Sequence, residues 1–568
     1  MHIHIVPNRK STPTVLLRES VRAGNKVGKR TLANLSSLSI EQVEGIRAVL
    51  NGQVLRPVSE LFEVTASKAT GHVEAVFAAT KRLALDTLID HKPCRERDLV
   101  MALVAARILE PDTKLATTRW WETTTLAETF NVSGATEDDL YEAMDWLLER
   151  QDKIQKKLAA RHLKKDGIAL YDLSSSYFEG TTCPLAKLGY CRDGKKGVLQ
   201  VNYGMLADQR GCPVAISVYE GNTSDPETLM PEIKRMKDGY NINSFVIAGD
   251  RGMISQKAID EIKGHDGVDW IAALKTGAIR ALIEDKSLQP DLFDERNLFE
   301  FSSPDYPGER LVACRNPELA KLRAHKRQDL LAATEKDLAR VQAMVEVGKL
   351  KGQDKIGVRI GRVINKYKVA KHFVLDIQDG SFAYKRDHGN IAEEAALDGI
   401  YVIRTSLSSD QMDSDACARS YKLLANVERG FRSLKTMDLK IRPIHHRLED
   451  RVRAHIFLCM PSYYVEWHMR EAWRELTFAD EDQDAKKTRD PVAPAKRSEA
   501  AKRKATRKRN DDGSPVHSFS TLLADLASIV RNTCRVPRAG DRAPSFRVTT
   551  TASPYQLRAM HLIGAMTL

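Results

Sequence analysis

Apolar and polar positions follow different repeats along this chain, and each repeat predicts a kind of element. Residues 15–21 and 27–35 alternate in the manner of strands on either side of Ala23-Gly24-Asn25, which predicts a hairpin. From 40 to about 165 the apolar spacing is that of helices instead. The pattern therefore predicts a small β unit followed by a mostly helical N-terminal region.

Elements alternate between residues 167 and 276. Apolar runs predict three strands, a helix, a strand, a helix and a last strand, at 168–173, 198–207, 213–219, 225–238, 244–249, 255–264 and 268–274. This order is expected of an RNase H-like core, in which an antiparallel meander joins parallel strands under covering helices. The predicted fold class is α/β, with an RNase H-like mixed sheet as its core.

Beyond this core the chain changes character twice. Short apolar runs and a long charged helix after Pro317 predict an insertion, and Lys486 to Arg509 holds eleven Lys and Arg residues. The basic block is either a disordered linker or a phosphate clamp. The predicted segments are a β unit (1–40), a helical DNA-end-binding region (41–165), the first core part (166–280), a β-rich and helical insertion domain (281–405), the second core part (406–478), a basic linker (479–515) and a short C-terminal region (516–568).

Composition narrows the class of partner. The net charge of +12 favours a polyanion such as nucleic acid, and the basic N-terminal β unit is either a DNA-touching arm or a solvated face. No run of about 20 apolar residues exists that could cross a bilayer, so a cytoplasmic protein without membrane contact is expected. The eight scattered cysteines predict reduced thiols rather than a zinc site.

Three acidic residues stand in settings that suit metal-dependent chemistry. Asp172 lies in the first predicted core strand, Asp250 ends the fourth, and Glu428 lies in a predicted helix from Tyr421 to Lys435. Two strand-borne carboxylates and one on a helix can converge on a pair of Mg²⁺ ions that hold both sides of a phosphodiester displacement. Phosphoryl transfer on DNA is therefore the leading hypothesis.

The helix itself adds polar groups along one face. Tyr421, Glu428 and Lys435 are seven residues apart, and Leu424 and Arg432 lie four residues either side of Glu428. Seven residues return to within about 20° of the same face of a helix. A solvated helix would also allow this mixture, so the stripe gains weight from the two aspartates upstream.

In these motifs the chain resembles the DDE-type insertion-sequence transposases with a Tyr-x2-Arg-x3-Glu-x6-Lys signature. Tyr421, Glu428 and Lys435 match the signature, while Leu424 stands at the Arg position, as in one subgroup of these proteins. Further matching words are Tyr177-Phe-Glu-Gly, Gly221-Asn-Thr-Ser-Asp225, Gly249-Asp-Arg-Gly-Met253 and Arg442-Pro-Ile-His-His-Arg447, the last followed by Arg451 and His455. The resemblance runs from about residue 15 to 470 and also implies the insertion before the Glu helix.

The expected mechanism uses two Mg²⁺ ions, with Mn²⁺ as a substitute. Asp172 is expected to bridge them, with Asp250 on one ion and Glu428 on the other. We expect Lys435 and Tyr421 to hold the phosphate near the cut. Other expected or weaker DNA contacts are Arg251, Arg429, Arg432 and Lys275, with Arg429 or Arg432 standing in for the missing signature Arg.

Several other side chains compete for these roles. Asp193, in a Gly/Lys-rich loop, and Asp208, in a turn, are rival first carboxylates but are expected to cap or to be solvated. His445, His446 and His455 are expected in helix packing or DNA contact rather than on a metal, because carboxylates suit Mg²⁺ better.

The resemblance implies double-stranded DNA, both element ends and target, as the partner and a homodimer in the DNA complex, associated with the nucleoid. End recognition is expected from the first 165 residues. Three alternatives stay open: a metal-dependent nuclease without strand transfer, an inactive transposase-derived DNA-binding protein, and an RNA-processing RNase H-like enzyme.

Overall fold

The computed structural model describes residues 1–9, 11–24, 26–54, 62–289, 293–484, 490–535 and 544–566. Asn25 of the predicted turn and Lys486, Lys487 and Arg489 of the basic block lie outside these ranges. The chain forms two compact units, the first from 1–68 with 530–551 and the second from 69–529 with 552–568.

The strands and helices are numbered in chain order. The strands are β1 (His2–Val6), β2 (Thr14–Ala23), β3 (Lys26–Asn34), β4 (Glu63–Ala69), β5 (Gly167–Tyr177), β6 (Lys187–Leu188), β7 (Leu199–Asp208), β8 (Pro213–Glu220), β9 (Phe245–Ala248), β10 (Val268–Ala273), β11 (Leu298–Phe301), β12 (Arg310–Arg315), β13 (Phe373–Ile377), β14 (Phe382–Arg386), β15 (Ile400–Thr405), β16 (Val530–Arg535) and β17 (Ser545–Thr549). The helices are α1 (Ile40–Leu50), α2 (Gly71–Arg82), α3 (Leu85–Ile89), α4 (Arg95–Leu109), α5 (Lys114–Trp121), α6 (Leu126–Thr129), α7 (Glu137–Leu148), α8 (Gln151–His162), α9 (Asp225–Lys234), α10 (Gln256–Ile262), α11 (Thr276–Glu284), α12 (Pro317–Glu346), α13 (Gln353–Ile364), α14 (His388–Ala396), α15 (Ser414–Lys422), α16 (Leu424–Arg432), α17 (Glu449–Ala472), α18 (Glu499–Arg507), α19 (Phe519–Ala527) and α20 (Pro554–Gly564).

The first unit is built on two three-stranded sheets. One is the predicted hairpin of β2 and β3 with β1 at its side, which confirms the N-terminal β unit as a local structure. The other has the order β17-β16-β4. The region predicted to be mostly helical also contains one strand, β4, which pairs with a segment more than 400 residues away and has no local partner.

The central sheet of the second unit confirms the predicted α/β core. Strands β8, β7 and β5 form an antiparallel meander, and β9 and β10 continue from β5 in parallel. This places β5 in the middle of the core, with neighbours on both sides. Its residues Ala169, Leu170 and Tyr171 are buried in sequence, as expected of a strand covered on both faces.

The segment 281–405 does more than interrupt this core. Its strands β15, β12 and β11 add to the edge of β10, so that they extend the same sheet. The rest of the segment, with α12, α13 and the hairpin of β13 and β14, has a small core of its own around Leu338, Ile360 and Phe373.

Helix α17 is the main covering helix of the core. It packs against β8 on one side and against α4 and α7 on others. Its residues from Ala454 to Val465 are buried on every face, which is typical of a helix enclosed by protein.

The C-terminal part is more ordered than the sequence predicted. The basic block was expected to be a linker or clamp, but its residues 499–507 form α18, where Lys504 is buried and its Nζ is bonded to Glu481. The short C-terminal region contains β16, β17 and α20 after residue 530.

Candidate active site

Asp172 sits in the middle of the core sheet, on β5. Its Oδ1 accepts a hydrogen bond from the backbone N–H of Leu173 at 2.8 Å. The pKa of Asp172 is raised to about 7, mainly by burial and also by the charges of Asp250 and Glu428. The Leu173 N–H and the Arg192 guanidinium oppose this shift. Two neighbouring carboxylates disfavour the ionised form of a third, and a cation bound among them would favour it again.

Asp250 lies two residues after the end of β9, and a tight turn fixes its side chain. Its Oδ1 accepts two backbone hydrogen bonds, from the N–H groups of Gly252 and Met253, each at 2.8 Å. A Cβ at Gly252 would lie 3.2 Å from that oxygen, so glycine here keeps the turn close around the carboxylate. The motif Gly249-Asp-Arg-Gly-Met253 thus orients one acidic side chain at the carboxyl end of a core strand.

Glu428 is exposed on α16, which packs against β5 with Val427 and Phe431 buried. Close packing depends on Gly430, where a Cβ would lie 2.7 Å from Cε of Met205. The glycine lets α16 approach the sheet, and Glu428 is carried toward Asp172 on β5.

The predicted single helix from 421 to 435 is divided in the structure. Tyr421 lies in the last turn of α15, Glu428 lies on α16, and Lys435 lies in a π-helical turn, Ser433–Met437. The prediction of one unbroken α-helix from 421 to 435 was therefore wrong. A π turn holds more residues than an α turn, and Lys435 is buried while Glu428 is exposed.

Tyr421 nevertheless lies among the three carboxylates. Burial raises the pKa of its hydroxyl to about 12, the charges of Asp250, Glu428 and Asp172 raise it as well, and only Arg251 opposes them. The predicted residues Tyr421, Asp172, Asp250, Glu428 and Arg251 are thus brought within electrostatic reach of one another. A neutral tyrosine in this place can donate its O–H to an anionic substrate.

Lys435 is paired with an aspartate that the sequence did not single out for this role. Its Nζ lies 3.2 Å from Oδ1 of Asp193, which also pairs with Arg442. Oδ2 of Asp193 accepts the N–H of Tyr177 at 3.2 Å. Of the two expectations for Asp193, solvation was wrong, since its side chain is 2% exposed, whereas it does accept a backbone N–H as a capping residue would. The partners lie far away in sequence, so no local pattern could show the pairing.

Arg192 is a second residue that sequence reasoning missed. It pairs with Asp225 at the start of α9, and its N–H donates to Oγ of Ser175 on β5. Its guanidinium is close enough to Asp172 to oppose the rise in that pKa. Asp225, the partner of Arg192, is the last residue of the motif Gly221-Asn-Thr-Ser-Asp225, and this motif is the sequence feature that points to the region.

The other predicted residues divide into exposed and structural ones. Asp208 caps its turn as expected, because Oδ1 accepts the N–H groups of Arg210 and Cys212. The remaining predicted DNA contacts are exposed to solvent: Arg251, Lys275, Arg429 and Arg432.

His162, Cys212 and His468 form a cluster that could suggest a metal site. Among the residues that the structure describes, their ligand atoms all lie within 4.8 Å of one another, and the three carboxylates do not form such a tight trio. Arg210 donates to Nδ1 of His162 at 3.2 Å, and Nε2 of the same ring is bonded to the Tyr464 hydroxyl at 3.0 Å. The ring is therefore satisfied without a metal, and the arginine would repel a cation.

The fold and site together define a class: an RNase H-like α/β core with acidic residues from two strands and a helix. Residues 165–464 match the family model described as a transposase DDE domain, and residues 3–63 match the N-terminal domain of IS1634 family transposases. Since the first match covers more than half of the sequence, the chain belongs to the DDE transposases of insertion sequences. It is a DNA-binding transposase.

Comparison with solved structures is less informative. A cryo-EM structure of the piggyBac transposase synaptic complex with hairpin DNA is 7% identical, with a TM-score of 0.35, over 80% of this chain and 76% of that one. A similarity at this level establishes neither a shared fold nor a shared function. No curated protein matches the chain. No helix of the described residues is long and apolar enough to cross a membrane.

Proposed function

We propose that this transposase binds the inverted-repeat ends of an insertion sequence, cleaves them, and joins the freed 3′-OH to target DNA. The observation that carries the proposal is the convergence of Asp172, Asp250 and Glu428: β5 pairs with β9, α16 packs against β5, and the charges of Asp250 and Glu428 help to raise the pKa of Asp172. Carboxylates from separate elements that raise one another's pKa are favoured by a cation bound among them, and such clusters mark functional sites.

The donor set fits hard divalent cations. Carboxylate oxygens are preferred by Mg²⁺ and accepted by Mn²⁺, and none of the three residues offers a soft ligand. Asp172, Asp250 and Glu428 are the residues that would hold these ions. When bound, the two ions supply activation of the attacking water and stabilisation of the leaving 3′ oxygen.

The protein's own groups hold the DNA around these carboxylates. Asp250 keeps its orientation because its Oδ1 is fixed by two backbone N–H groups. The hydroxyl of Tyr421, whose pKa is raised to about 12, stays protonated and donates to a phosphate oxygen. Lys435, held by Asp193, adds positive charge behind the site.

The exposed cations extend the contact along the DNA. Arg251 lies in the Asp250 turn and Arg429 and Arg432 lie on α16, all three at exposed positions. Arginine binds phosphate with two parallel hydrogen bonds. These residues position the strand and carry no sequence information, so we assign recognition of the element ends to residues 1–165, in a homodimer that holds both ends.

Strand transfer is tested separately from cleavage. Purified full-length protein is incubated with Mg²⁺, a supercoiled target plasmid and either uncut or precut element ends, and cleaved and joined products are resolved on a gel. Joining of the ends to the plasmid supports the proposal. Cleavage of uncut ends without any joining would contradict it and favour a nuclease. Binding without either reaction would favour an inactive DNA-binding protein.

A further inference from the structure

A cationic pocket lies apart from the three carboxylates, in the second unit. It is a cavity of about 350 Å³ between the end of α4, the start of α5 and the segment 440–446. Its lining includes Arg107, Lys114, Arg442, His446 and His455, with Asp112 as the acidic member. Part of this lining is the Arg442-Pro-Ile-His-His-Arg447 word, to which the proposed chemistry gives no role.

Two buried cations in this pocket lack a counter-ion. Lys114 is 3% exposed and makes no hydrogen bond or ion pair with another described residue. Arg107 is 6% exposed, and its contact is a long one, 3.5 Å from NH1 to the carbonyl oxygen of Leu439. The pKa of Lys114 is lowered to about 7, mainly by burial and also by the charge of Arg107. Buried charges are ordinarily paired, so this pair calls for an anion.

The acidic lining residue does not provide that anion. Asp112 is exposed, and its Oδ1 accepts the backbone N–H of Thr113 at 2.7 Å instead of meeting Lys114. Among the described residues, no carboxylate forms an ion pair with Arg107 or Lys114. The positive charge therefore stays uncompensated inside the protein.

Of the three histidines that line the pocket, His446 and His455 have lowered pKa values, remain neutral and can still donate or accept. Their rings lie 5.0 Å apart, and Nε2 of His455 donates to the carbonyl oxygen of Ile441 at 3.1 Å. Nδ1 of His455 is buried without a partner. Burial lowers the pKa of His446 to about 3, and Lys114 and Arg107 act in the same direction. Both rings would become better donors beside a bound anion.

We propose that this pocket binds a phosphate group, with Arg107 and Lys114 as its main ligands. A guanidinium and an ammonium are the two side chains that proteins use most for phosphate, and the N-terminal end of α5 adds a favourable dipole at Lys114. The phosphate comes either from the DNA backbone, which rests on the proposed function, or from free inorganic phosphate. In the first case the pocket anchors DNA outside the reacting centre.

The first arm of the test measures thermal unfolding of the full chain with inorganic phosphate against chloride at equal ionic strength. We expect phosphate to raise the midpoint of wild type more than that of Lys114→Met or Arg107→Gln. Without phosphate, Lys114→Met should unfold at a higher temperature than wild type, because a buried unpaired charge is gone. The matched control is Lys349→Met, at an exposed lysine after α12, which should respond to phosphate as wild type does.

The second arm measures binding to labelled duplex DNA in EDTA at several salt concentrations, so that no cleavage is needed. If the phosphate belongs to DNA, Lys114→Met makes the negative slope of log K against log salt less steep by about 0.9, because one phosphate contact is lost. A phosphate effect on unfolding with an unchanged slope assigns the pocket to free phosphate. Equal phosphate effects in wild type, Lys114→Met and Arg107→Gln, with unchanged slopes, overturn the proposal. Such a failure leaves cleavage by the three carboxylates untouched.

Discussion

Lys435 and Asp193 form an ion pair, with 3.2 Å between Nζ and Oδ1, across 242 positions of the sequence. The pair links the loop after β6 to the π turn after α16, and Arg442 joins it from a third segment. The side chain of Asp193 is 2% exposed and that of Lys435 is 11% exposed. The lysine expected to meet the DNA directly is thus also part of the framework of the site.

Replacing Asp193 by Asn should destabilise the protein strongly. The substitution keeps the shape of the side chain but leaves Lys435 and Arg442 without their buried counter-charge, and breaking such a pair costs about 3–5 kcal/mol. Urea unfolding of Asp193→Asn against wild type measures the loss. Asp410→Asn, at an exposed aspartate, serves as the control and should change stability by less than about 0.5 kcal/mol. A near-wild-type stability for Asp193→Asn would mean that the pair contributes little.

Replacing Asp172 by Asn should abolish cleavage while DNA binding persists. Asn keeps the size of the side chain but removes the charge that would hold both cations, and we expect at least about a 10³-fold loss of rate. Cleavage of labelled element ends measures the rate, and a mobility shift with the same DNA checks binding. Glu428→Gln should behave alike. Cleavage at wild-type rate by either variant would remove these residues from the chemistry.

The same substitution should stabilise the protein when no metal is present. Burial and the charges of Asp250 and Glu428 raise the pKa of Asp172, so its ionised form is unfavourable in the folded state at neutral pH. We expect Asp172→Asn to raise the unfolding midpoint in EDTA, and Mg²⁺ to raise the midpoint of wild type but not of the variant. Equal responses to Mg²⁺ would show that the ion binds elsewhere.

The sequence predicted those parts of the site that are encoded locally. Asp172 and Asp250 stood out because each accompanies an apolar run that forms a core strand, β5 or β9. Glu428 stood out through its spacing from Tyr421, although the helix is divided. The ion pairs of Asp193 were not predicted, because its partners are distant in sequence. A short polar loop also has the same sequence pattern whether it is buried or solvated.

The fold follows the same division. The alternation of elements from 167 to 276 predicted the core order, since each strand and helix has its own apolar period. The addition of β15, β12 and β11 to the core sheet was not predicted, because strand pairing across a long segment leaves no mark on either strand alone.

Replacing Gly430 by Ala should reduce cleavage and stability together. A helix gains at most about 1 kcal/mol when Ala replaces Gly, but overpacking a core costs about 1–3 kcal/mol. The added Cβ would lie 2.7 Å from Cε of Met205 and 3.1 Å from the ring of Tyr463. Both side chains are buried and have little room to move, so overpacking should dominate and push α16 with Glu428 away from β5. Unfolding and cleavage rates of Gly430→Ala test this. Met205→Leu, which removes that methyl group, should restore part of both losses, and a double variant no better than Gly430→Ala would contradict the packing argument.

Acid should destabilise the protein through its buried neutral histidines, and His72 offers the clearest case. It is 7% exposed, and burial lowers its pKa from 6.5 to about 4. Between these two values the unfolded chain binds the proton and the folded one does not, so stability is complete above pH 6.5 and falls as the pH decreases toward 4. One such group contributes a slope of up to about 1.4 kcal/mol per pH unit. Urea unfolding at a series of pH values should therefore give a shallower slope for His72→Phe than for wild type. Identical slopes would mean that His72 is protonated in the folded state, against its burial beside Trp120.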